Sequence, residues 1–337
     1  MKGIPHIDLT PALAPGNDEA ERRLAMEMDR VCKDVGFFTV RGHGIDRRIF
    51  EDVYAASKAF FDLPYSRKTG CRLETGFTKA ADDYTPYGYS GLLEENAYAY
   101  MGERDKPSDY VEKFSVGRLV LDDRERLPFP EDALGRALRR TTKAYFIACE
   151  GLVAKLTELF TIALELPRDF FAVRTGSSTD SLRSQRYPAR STDFKNDQGM
   201  GAHCDGTLLT LLTHTSPGLE VRNRSGEWIS PQVGDCDLDE FIVNIGDLMA
   251  RWSNDEYVST PHRVVLAEKV RQSIVFFKLA NDDTVIECFP KFCRNKPAKY
   301  APVLYKNFSL EKMNALFSRE PREPHEAVDI GRPQAVG

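Results

Sequence analysis

The segment 200–214 constrains this chain most, because it sets an imidazole and a carboxylate two residues apart at the head of an apolar run. Beyond Thr207 the residues are apolar or β-prone, which predicts one buried strand over the whole segment. Side chains two apart on a strand project from the same face. We therefore expect His203 and Asp205 to point together, with Cys204 on the opposite face, and to supply two ligands of a metal site.

The third metal ligand is expected from another strand. His262, in the stretch Ser-Thr-Pro-His-Arg-Val-Val of a second β-prone run, is the main candidate. His214 competes with it, but a strand rises about 3.3 Å per residue, so His214 would lie more than about 30 Å along a straight strand. Two imidazoles and one carboxylate with open positions suit a non-haem Fe(II) that activates oxygen. A structural zinc site or an empty site is the alternative.

A basic residue and a hydroxyl follow on the next expected strand. Arg271 and Ser273 lie two apart in Arg-Gln-Ser-Ile-Val-Phe-Phe-Lys-Leu and so share a face. A guanidinium binds a carboxylate through two parallel hydrogen bonds, and a hydroxyl adds a further donor. This pair beside a metal predicts a site for a ligand that carries a carboxylate.

Together these motifs resemble those of the Fe(II)/2-oxoglutarate-dependent oxygenases of the isopenicillin N synthase-like family. The resemblance covers roughly residues 4 to 310 and rests also on the stretches Ile4-Pro-His-Ile-Asp-Leu, Gly36-Phe-Phe-Thr-Val-Arg-Gly-His-Gly-Ile, Tyr87-Gly-Tyr-Ser, Tyr110-Val-Glu-Lys-Phe and Val243-Asn-Ile-Gly-Asp-Leu. It implies Fe(II) as the cofactor, 2-oxoglutarate and O2 as cosubstrates, and release of succinate and CO2. It also implies that the iron centre held by His203, Asp205 and His262 is the catalytic group, which removes hydrogen from the substrate.

The resemblance further implies which residues bind the cosubstrate. Arg271 and Ser273 would hold the distal carboxylate of 2-oxoglutarate. Tyr187, in Gln-Arg-Tyr-Pro, matches the tyrosine of the family's Asn-x-Tyr-Pro stretch, whose hydroxyl donates to the same group. Gln185 stands where many relatives carry Asn and is a further candidate contact. A buried core tyrosine before a proline is the alternative interpretation of Tyr187.

Residues 66–118 show no sustained period and are rich in Gly, Tyr, Asp and Ser. Long irregular segments inside domains are usually functional or disordered, and the resemblance implies that this one covers the substrate. A surface loop packed by its own aromatic residues is the alternative. We expect the part 82–113 to become ordered when substrate binds. The candidate residues of the substrate pocket are Tyr87, Tyr89, Phe114, Thr207 and Asn244.

The pattern of the whole chain predicts a mainly β fold with flanking helices around a jelly-roll core, a cupin-like double-stranded β-helix. We expect one oxygenase domain, 1–317, with an N-terminal helical and lid part, 1–170, and the jelly-roll core over about 171–317. Residues 318–337 are Pro-rich and polar and are expected to form a mobile tail. Amphipathic helices are expected over 17–36 and 46–61, and one long helix or two abutting ones over 131–166. Short strands are expected over 181–188, 200–214, 218–222, 227–230, 240–245, 256–265, 271–280 and 284–287.

Composition bears on the partners and the compartment. The net charge of −5 leaves no electrostatic footprint for nucleic acid, and no window is apolar enough to span a bilayer. The seven cysteines are scattered without paired Cys-x-x-Cys spacing, which favours reduced thiols in the core and no ligand role for Cys204. We therefore expect a cytoplasmic monomer, without nucleic-acid or membrane partners, that acts on a small molecule in secondary metabolism.

Hydroxylation, desaturation and oxidative ring closure of a natural product, amino acid or nucleobase all agree with the resemblance. Two other functions remain open at this point. One is an Fe(II) oxidase or cyclase of the isopenicillin N synthase type that works without 2-oxoglutarate. The other is a non-catalytic small-molecule-binding protein on the same scaffold. Formation of succinate separates the first from the main interpretation, and failure to bind iron would favour the second.

Overall fold

The computed structural model describes residues 3–14, 16–72, 87–103, 105–122, 128–231 and 238–317, with the backbone alone for 313–317. The expected mobile tail, 318–337, and the part 73–86 of the expected lid lie outside the described residues.

The helices are α1 (Thr10–Leu13), α2 (Asp18–Asp34), α3 (Arg47–Phe61), α4 (Tyr65–Thr69), α5 (Ala133–Leu164), α6 (Phe170–Thr175), α7 (Asp247–Trp252), α8 (Pro290–Cys293) and α9 (Tyr305–Phe317). Two 3-10 turns cover Ala97–Met101 and Arg118–Leu121.

The strands build two larger sheets and a small two-stranded one. They are β1 (His6–Asp8), β2 (Phe37–Arg41), β3 (Gly88–Ser90), β4 (Glu112–Gly117), β5 (Ser181–Tyr187), β6 (Gln198–His203), β7 (Leu209–His214), β8 (Leu219–Arg222), β9 (Trp228–Ile229), β10 (Phe241–Ile245), β11 (His262–Val265), β12 (Arg271–Lys278), β13 (Val285–Ile286) and β14 (Val303–Leu304). The major sheet has the order β1-β2-β10-β7-β12-β5-β4-β3, and the minor sheet has the order β6-β11-β8-β9. The expected mainly β fold with a jelly-roll core is confirmed.

The three expected helices begin at side-chain caps. Asn17 accepts a hydrogen bond from the Ala20 amide at the start of α2, and Asp46 accepts one from the Arg48 amide at the start of α3. Asp132 caps α5 in the same way, which then runs unbroken for 32 residues. Capping satisfies amides that have no partner within the helix, so these polar residues set where each helix begins.

Helices α3 and α5 cover the outer face of the major sheet. The rings of Phe146 on α5 and Phe276 on β12 lie 5.0 Å apart. The hydroxyls of Tyr54 and Tyr145 lie 3.0 and 2.8 Å from Thr213 Oγ1 on β7. Because side chains alternate along a strand, the residues on either side of Thr213 and Phe276 face inward, toward the minor sheet.

The single strand expected over 200–214 is wrong. Strand β6 ends at His203 in the minor sheet, and β7 begins at Leu209 in the major sheet, so the chain crosses between the sheets over 204–208. The crossing lies against the start of α7, where the Asp247 amide donates to the Asp205 carbonyl at 2.7 Å. Helix-start amides lack partners within the helix, and the crossing segment supplies one.

The irregular structure expected over 66–118 is wrong in part. Strands β3 and β4 extend the major sheet beyond β5, and β4 buries every one of its residues. The charged side chains of β4 break the hydrophobic pattern that is expected of a buried strand, so the sequence did not indicate it. Each of these side chains is buried with a partner. Lys113 Nζ, for example, lies 2.6 Å from Glu95 Oε2.

The cysteines depart from expectation at one place. Cys288 and Cys293 form a disulfide at α8, whereas Cys32, Cys71, Cys149 and Cys204 are free thiols. Cys236 lies outside the described residues. No helix in the described part of the chain is long and apolar enough to cross a membrane.

Candidate metal and cosubstrate site

Three side chains meet where the minor sheet faces the crossing segment. His203 at the end of β6 pairs directly with His262 at the start of β11, and their rings lie 4.3 Å apart. Asp205 Oδ1 lies 3.6 Å from His203 Nε2 and 3.8 Å from His262 Nε2. All three residues are buried, with exposed fractions of 6%, 8% and 8% for His203, Asp205 and His262. Within the described residues they form a group that could hold a metal ion.

Each imidazole is oriented by a backbone carbonyl two residues before it. His203 Nδ1 lies 2.8 Å from the Gly201 oxygen, and His262 Nδ1 lies 3.2 Å from the Thr260 oxygen. A carbonyl accepts only, so each Nδ1 carries a proton, and in a neutral imidazole Nε2 is then the nitrogen with the lone pair. Such hydrogen bonds fix the tautomer that a metal requires.

The Asp205 carboxylate is held from its other oxygen. Asp205 Oδ2 accepts hydrogen bonds from Thr210 Oγ1 at 2.7 Å and from Asn244 Nδ2 at 2.8 Å. Thr207 Oγ1 lies 3.0 Å from Thr210 Oγ1 and continues the chain of hydroxyls. Asn244 and Thr207 are two of the expected substrate-pocket residues; Asn244 binds Asp205 directly, and Thr207 contacts Thr210. Sequence analysis did not identify Thr210. The only available signal was the alternation of the β-prone run, which places the Thr210 side chain on one of the two faces of the sheet.

The protonation states fit a cation-binding group. Burial, and then the neighbouring His262, lower the pKa of His203 to about 3. Burial opposes ionisation of Asp205, but His262 and His203, together with the bonds from Asn244 and Thr210, leave the pKa of Asp205 below its usual value. Near neutral pH a neutral imidazole then faces a carboxylate, which is the donor set that non-haem Fe(II) prefers.

Replacing Thr210 with valine is expected to lower Fe(II) affinity by about 10- to 100-fold, because loss of a residue that orients a ligand typically costs that much. The measurement is an anaerobic Fe(II) titration against a chromophoric chelator. Thr213→Val is the matched control. Thr213 lies on the same strand but faces α3 and α5, so this variant should lose stability and keep its iron affinity. Equal affinity in the two variants would contradict the support assigned to Thr210.

A buried cation for which the described residues supply no counterion lies on the inner face of β12. Arg271 is 1% exposed, and its Nε donates to the Ser216 carbonyl at 3.1 Å. Its Nη1 and Nη2 have no hydrogen-bond partner among the described residues. Buried charges are normally paired, so this guanidinium fits an anionic ligand that approaches both of its outer nitrogens.

Hydroxyl groups surround this guanidinium. The Tyr187 ring lies 4.9 Å from the centre of the Arg271 guanidinium. Gln185 Oε1 accepts hydrogen bonds from the Tyr187 hydroxyl at 2.9 Å and from Ser273 Oγ at 3.0 Å. Arg271 and Ser273 do share a face, and they meet Tyr187 and Gln185 across the β5–β12 pair. These donors and the unpaired guanidinium fit the distal carboxylate of a dicarboxylate ligand.

This cluster adjoins the metal group. Gln185 Nε2 lies 4.0 Å from Met200 Sδ on β6, three residues before His203. His214, the rejected third ligand, ends β7 opposite Ser273. Burial, and then Arg271, lower the pKa of His214 to about 3, and its Nδ1 has no partner among the described residues. Sequence analysis missed this location of His214, because it treated β6 and β7 as one strand.

Two of the substrate-pocket candidates face away from the His-Asp-His group. Tyr89 and Phe114 are cross-strand partners on β3 and β4, and their rings pack against Phe60 of α3 at 6.1 and 4.6 Å. They therefore face the helices and not the metal. Tyr87 lines a groove of about 820 Å³ whose other lining residues are Arg118, Leu119, Leu121, Asp122, Ser177, Ser178 and Thr179, which include none of the metal or cosubstrate candidates.

Other side chains occupy the inner face near the metal. The Tyr100 ring lies 6.0 Å from the His203 ring. Arg183 lies two residues before Gln185 on the same face of β5, and its guanidinium lies 5.8 Å from the Phe277 ring. Arg183 Nη1 is also 3.6 Å from Glu95 Oε2. Burial opposes ionisation of Glu95, but Lys113 and Arg183 lower its pKa to about 2. Sequence analysis did not identify these side chains as part of the site, because residues 66–118 show no regular pattern.

Comparisons with known proteins agree with this geometry. Residues 178–279 match the 2OG-Fe(II) oxygenase superfamily, and residues 4–133 match the family described as the N-terminal region of the non-haem dioxygenase in morphine synthesis. A homoarginine-6-hydroxylase of Oryza sativa subsp. japonica is 32% identical, covering 93% of this chain and 97% of that protein. A 2-oxoglutarate-Fe(II) type oxidoreductase of Emericella nidulans is 31% identical, covering 89% and 86%.

Solved structures resemble the fold over nearly its full length. A full-length protein of Neurospora crassa, crystallised in complex with alpha-KG, has a TM-score of 0.79 and 26% identity, covering 93% of this chain and 96% of that one. The same protein with alpha-KG and thymine has a TM-score of 0.77 and 25% identity, with the same coverage. Fold, site and relatives together define a non-haem iron oxygenase. The chain belongs to the Fe(II)- and 2-oxoglutarate-dependent oxygenase superfamily, in its isopenicillin N synthase-like branch, and it uses Fe(II), 2-oxoglutarate and O2.

Proposed function

We propose that His203, Asp205 and His262 bind the Fe(II), and that Arg271 binds the distal carboxylate of 2-oxoglutarate. The observation that carries this assignment is a buried guanidinium with two unpartnered nitrogens, in the same inter-sheet space as a His-Asp-His group. A dicarboxylate satisfies both features, because one end can chelate the metal while the other pairs with Arg271. A metal without a cosubstrate would leave the guanidinium unpaired.

The protein residues position the reactants and exclude water. The three protein ligands would leave positions on the metal for further ligands. Asn244 and Thr210 bind one oxygen of Asp205, which leaves the other oxygen for the metal. Tyr187 and Ser273 hydroxyls, now bonded to Gln185, can turn to donate to the cosubstrate carboxylate beside Arg271. Iron and 2-oxoglutarate, when bound, supply the oxygen activation that removes hydrogen from the substrate. Buried walls keep that chemistry away from solvent.

We propose hydroxylation of a small molecule as the reaction. The supporting observation is the mixed character of the inner face, where the Tyr100 ring lies 6.0 Å from the His203 ring and the Phe277 ring packs against the charged Arg183 side chain. Such a surface suits a compact substrate with both an apolar part and hydrogen-bond acceptors. Amino-acid, nucleobase and natural-product substrates all have this character. Desaturation and ring closure by the same centre remain the alternatives within this function.

One experiment tests the function directly. The protein is loaded anaerobically with Fe(II) and 2-oxoglutarate, and small molecules, including homoarginine and thymine, are then screened for accelerated succinate release in air. We expect a true substrate to yield about one succinate per product molecule, because each oxidation consumes one 2-oxoglutarate. Product formation without succinate would favour the 2-oxoglutarate-independent oxidase. Failure to bind iron would favour the non-catalytic binding protein.

We further propose that residues 1–317 act as one oxygenase domain, with the lid part within 1–170 and the jelly-roll core over about 171–317. Its supporting observation is that β1 to β4, from the N-terminal part, pair into the same sheet as the core strands. A cytoplasmic, monomeric enzyme of secondary metabolism, without nucleic-acid or membrane partners, completes the proposal. Size-exclusion chromatography with light scattering tests the oligomeric state.

A further inference from the structure

A buried carboxylate outside the metal group joins two parts of the site. Asp109 is 0% exposed and lies just before β4. Its Oδ1 accepts hydrogen bonds from the Gly201 amide at 2.8 Å and from Gln198 Nε2 at 3.0 Å, both on β6. Its Oδ2 accepts one from the Ala97 amide at 2.8 Å, at the start of the 3-10 turn Ala97–Met101. One side chain therefore links the strand that carries His203 to the turn that carries Tyr100.

The bond to Gly201 acts close to the metal ligand. Strand β6 is an edge strand of the minor sheet, so its outward amides need partners from elsewhere. Asp109 supplies one for Gly201, and the carbonyl of the same residue accepts the hydrogen bond from His203 Nδ1 at 2.8 Å. The peptide unit that follows Gly201 thus orients the imidazole, while Asp109 holds the amide that precedes it.

The bond to Ala97 fixes the turn against the same strand. A side chain at Gly201 would collide with the Tyr98 ring, so Tyr98 packs directly against β6. Tyr100, two residues further, contacts the His203 ring. Asn96 caps the turn by accepting from the Tyr98 amide at 3.0 Å. Asp109 therefore joins the turn Ala97–Met101 to β6, the strand that ends at His203.

We propose that Asp109 is a positioning residue that couples the 97–101 turn to the metal ligand His203. The inference rests on the proposed metal site at His203, Asp205 and His262. Two consequences follow for a metal-bound protein. Metal affinity depends on Asp109 although this residue does not touch the metal, and metal binding tightens the turn over the site.

The test uses the full chain, Co(II) as the metal probe and chymotrypsin, with cleavage after Tyr98 and Tyr100 mapped by mass spectrometry. In the wild type, Co(II) slows cleavage at these two sites. In Asp109→Asn, Co(II) affinity falls about 10- to 100-fold, as for other residues that orient a ligand, and saturating Co(II) no longer protects the turn. An Asn side chain sets its Nδ2 donor against the Ala97 amide or, in the flipped orientation, against both the Gly201 amide and Gln198 Nε2.

Asp180→Asn is the matched control for the loss of a buried carboxylate. Asp180 is also 0% exposed, pairs with Lys278 Nζ at 2.7 Å and lies away from the metal group. This control is expected to lower the melting temperature and to leave Co(II) affinity and protection unchanged. If Asp109→Asn behaved like Asp180→Asn in all three measurements, the coupling would be disproved.

A second variant keeps the proposal testable if Asp109→Asn does not fold. Ala97→Pro removes only the amide that donates to Asp109 Oδ2, at a first helical position where proline is tolerated, and Asn96 before it is already extended. We expect near wild-type Co(II) affinity with protection of Tyr98 and Tyr100 lost. Unchanged protection would overturn the coupling. A wild-type chain that binds no Co(II) would contradict the metal site itself, and the inference with it.

Discussion

Replacing His262 with alanine is expected to abolish turnover and to lower Fe(II) affinity by more than the roughly 10–100-fold that loss of a supporting residue costs. The variant leaves one imidazole and one carboxylate, too few fixed donors to compete with water for the metal. It also removes the neighbour at 3.8 Å that favours the ionised form of Asp205. Anaerobic Fe(II) titration and succinate release at saturating 2-oxoglutarate measure the two effects.

His43→Ala is the matched control for the His262 variant. The His43 ring is also packed among aromatic residues, at 5.3 Å from Phe241, and it is also fixed by a backbone oxygen, that of Asp239 at 2.6 Å. It lies outside the metal group, so its loss should cost stability and spare the iron affinity. If His214→Ala lost iron while His262→Ala kept it, the third ligand would be wrongly assigned.

Replacing Arg271 with glutamine is expected to raise the 2-oxoglutarate requirement by at least about 10- to 100-fold. A hydrogen bond to a charged group is worth about 1.5–3 kcal/mol. The loss of binding free energy is greater if both hydrogen bonds of a bidentate guanidinium–carboxylate pair are removed. Arg271→Lys should recover only part of the affinity, since it supplies charge without the fork. Ser273→Ala should cost less, about 1 kcal/mol. Steady-state rates with 2-oxoglutarate varied at saturating substrate, and then the reverse, separate the two requirements.

The same variant has a second expected effect, on stability without ligand. Arg271 is buried, and two of its nitrogens have no partner among the residues that the structure describes. An uncompensated buried charge destabilises a folded protein. Arg271→Gln should therefore melt at the same temperature as the wild type or higher when no 2-oxoglutarate is present. Adding Fe(II) and 2-oxoglutarate should stabilise the wild type through binding linkage and should stabilise the variant much less.

Two results would contradict the role assigned to Arg271. One is a variant in which only the substrate requirement rises, because that would place the guanidinium in the substrate pocket. The other is equal thermal stabilisation of wild type and Arg271→Gln by 2-oxoglutarate. The rates and the melting curves are independent, so a misfolded variant cannot imitate the expected pattern of a stable protein with a weakened cosubstrate site.

Residue identity and spacing, with the family resemblance that they carry, were sufficient for the fold class and the oxygenase family, and they nominated the members of the proposed metal and cosubstrate groups. The reason is that these depend on local chemistry. Arg271 and Ser273 share a face because a strand has a period of two, and helices α2, α3 and α5 begin at Asn17, Asp46 and Asp132 because these residues cap free amides. His262 was preferred to His214 on motif and on distance along the chain.

Only the tertiary structure decided how the site is assembled. His203 and Asp205 converge not through alternation on one strand but because the chain leaves β6 at His203 and crosses to the major sheet. Tyr89 and Phe114 were placed in the substrate pocket from sequence, yet the β3–β4 register turns them toward Phe60. The contacts of Asn244 with Asp205 and of Asp109 with Gly201 join residues 39 and 92 positions apart, and the contact of Thr210 with Asp205 lies across a strand break. Sequence periodicity indicates on which face of its own strand a residue lies. Which other strand lies opposite depends on the packing of the whole sheet, and this packing determined which side chains meet at the metal site.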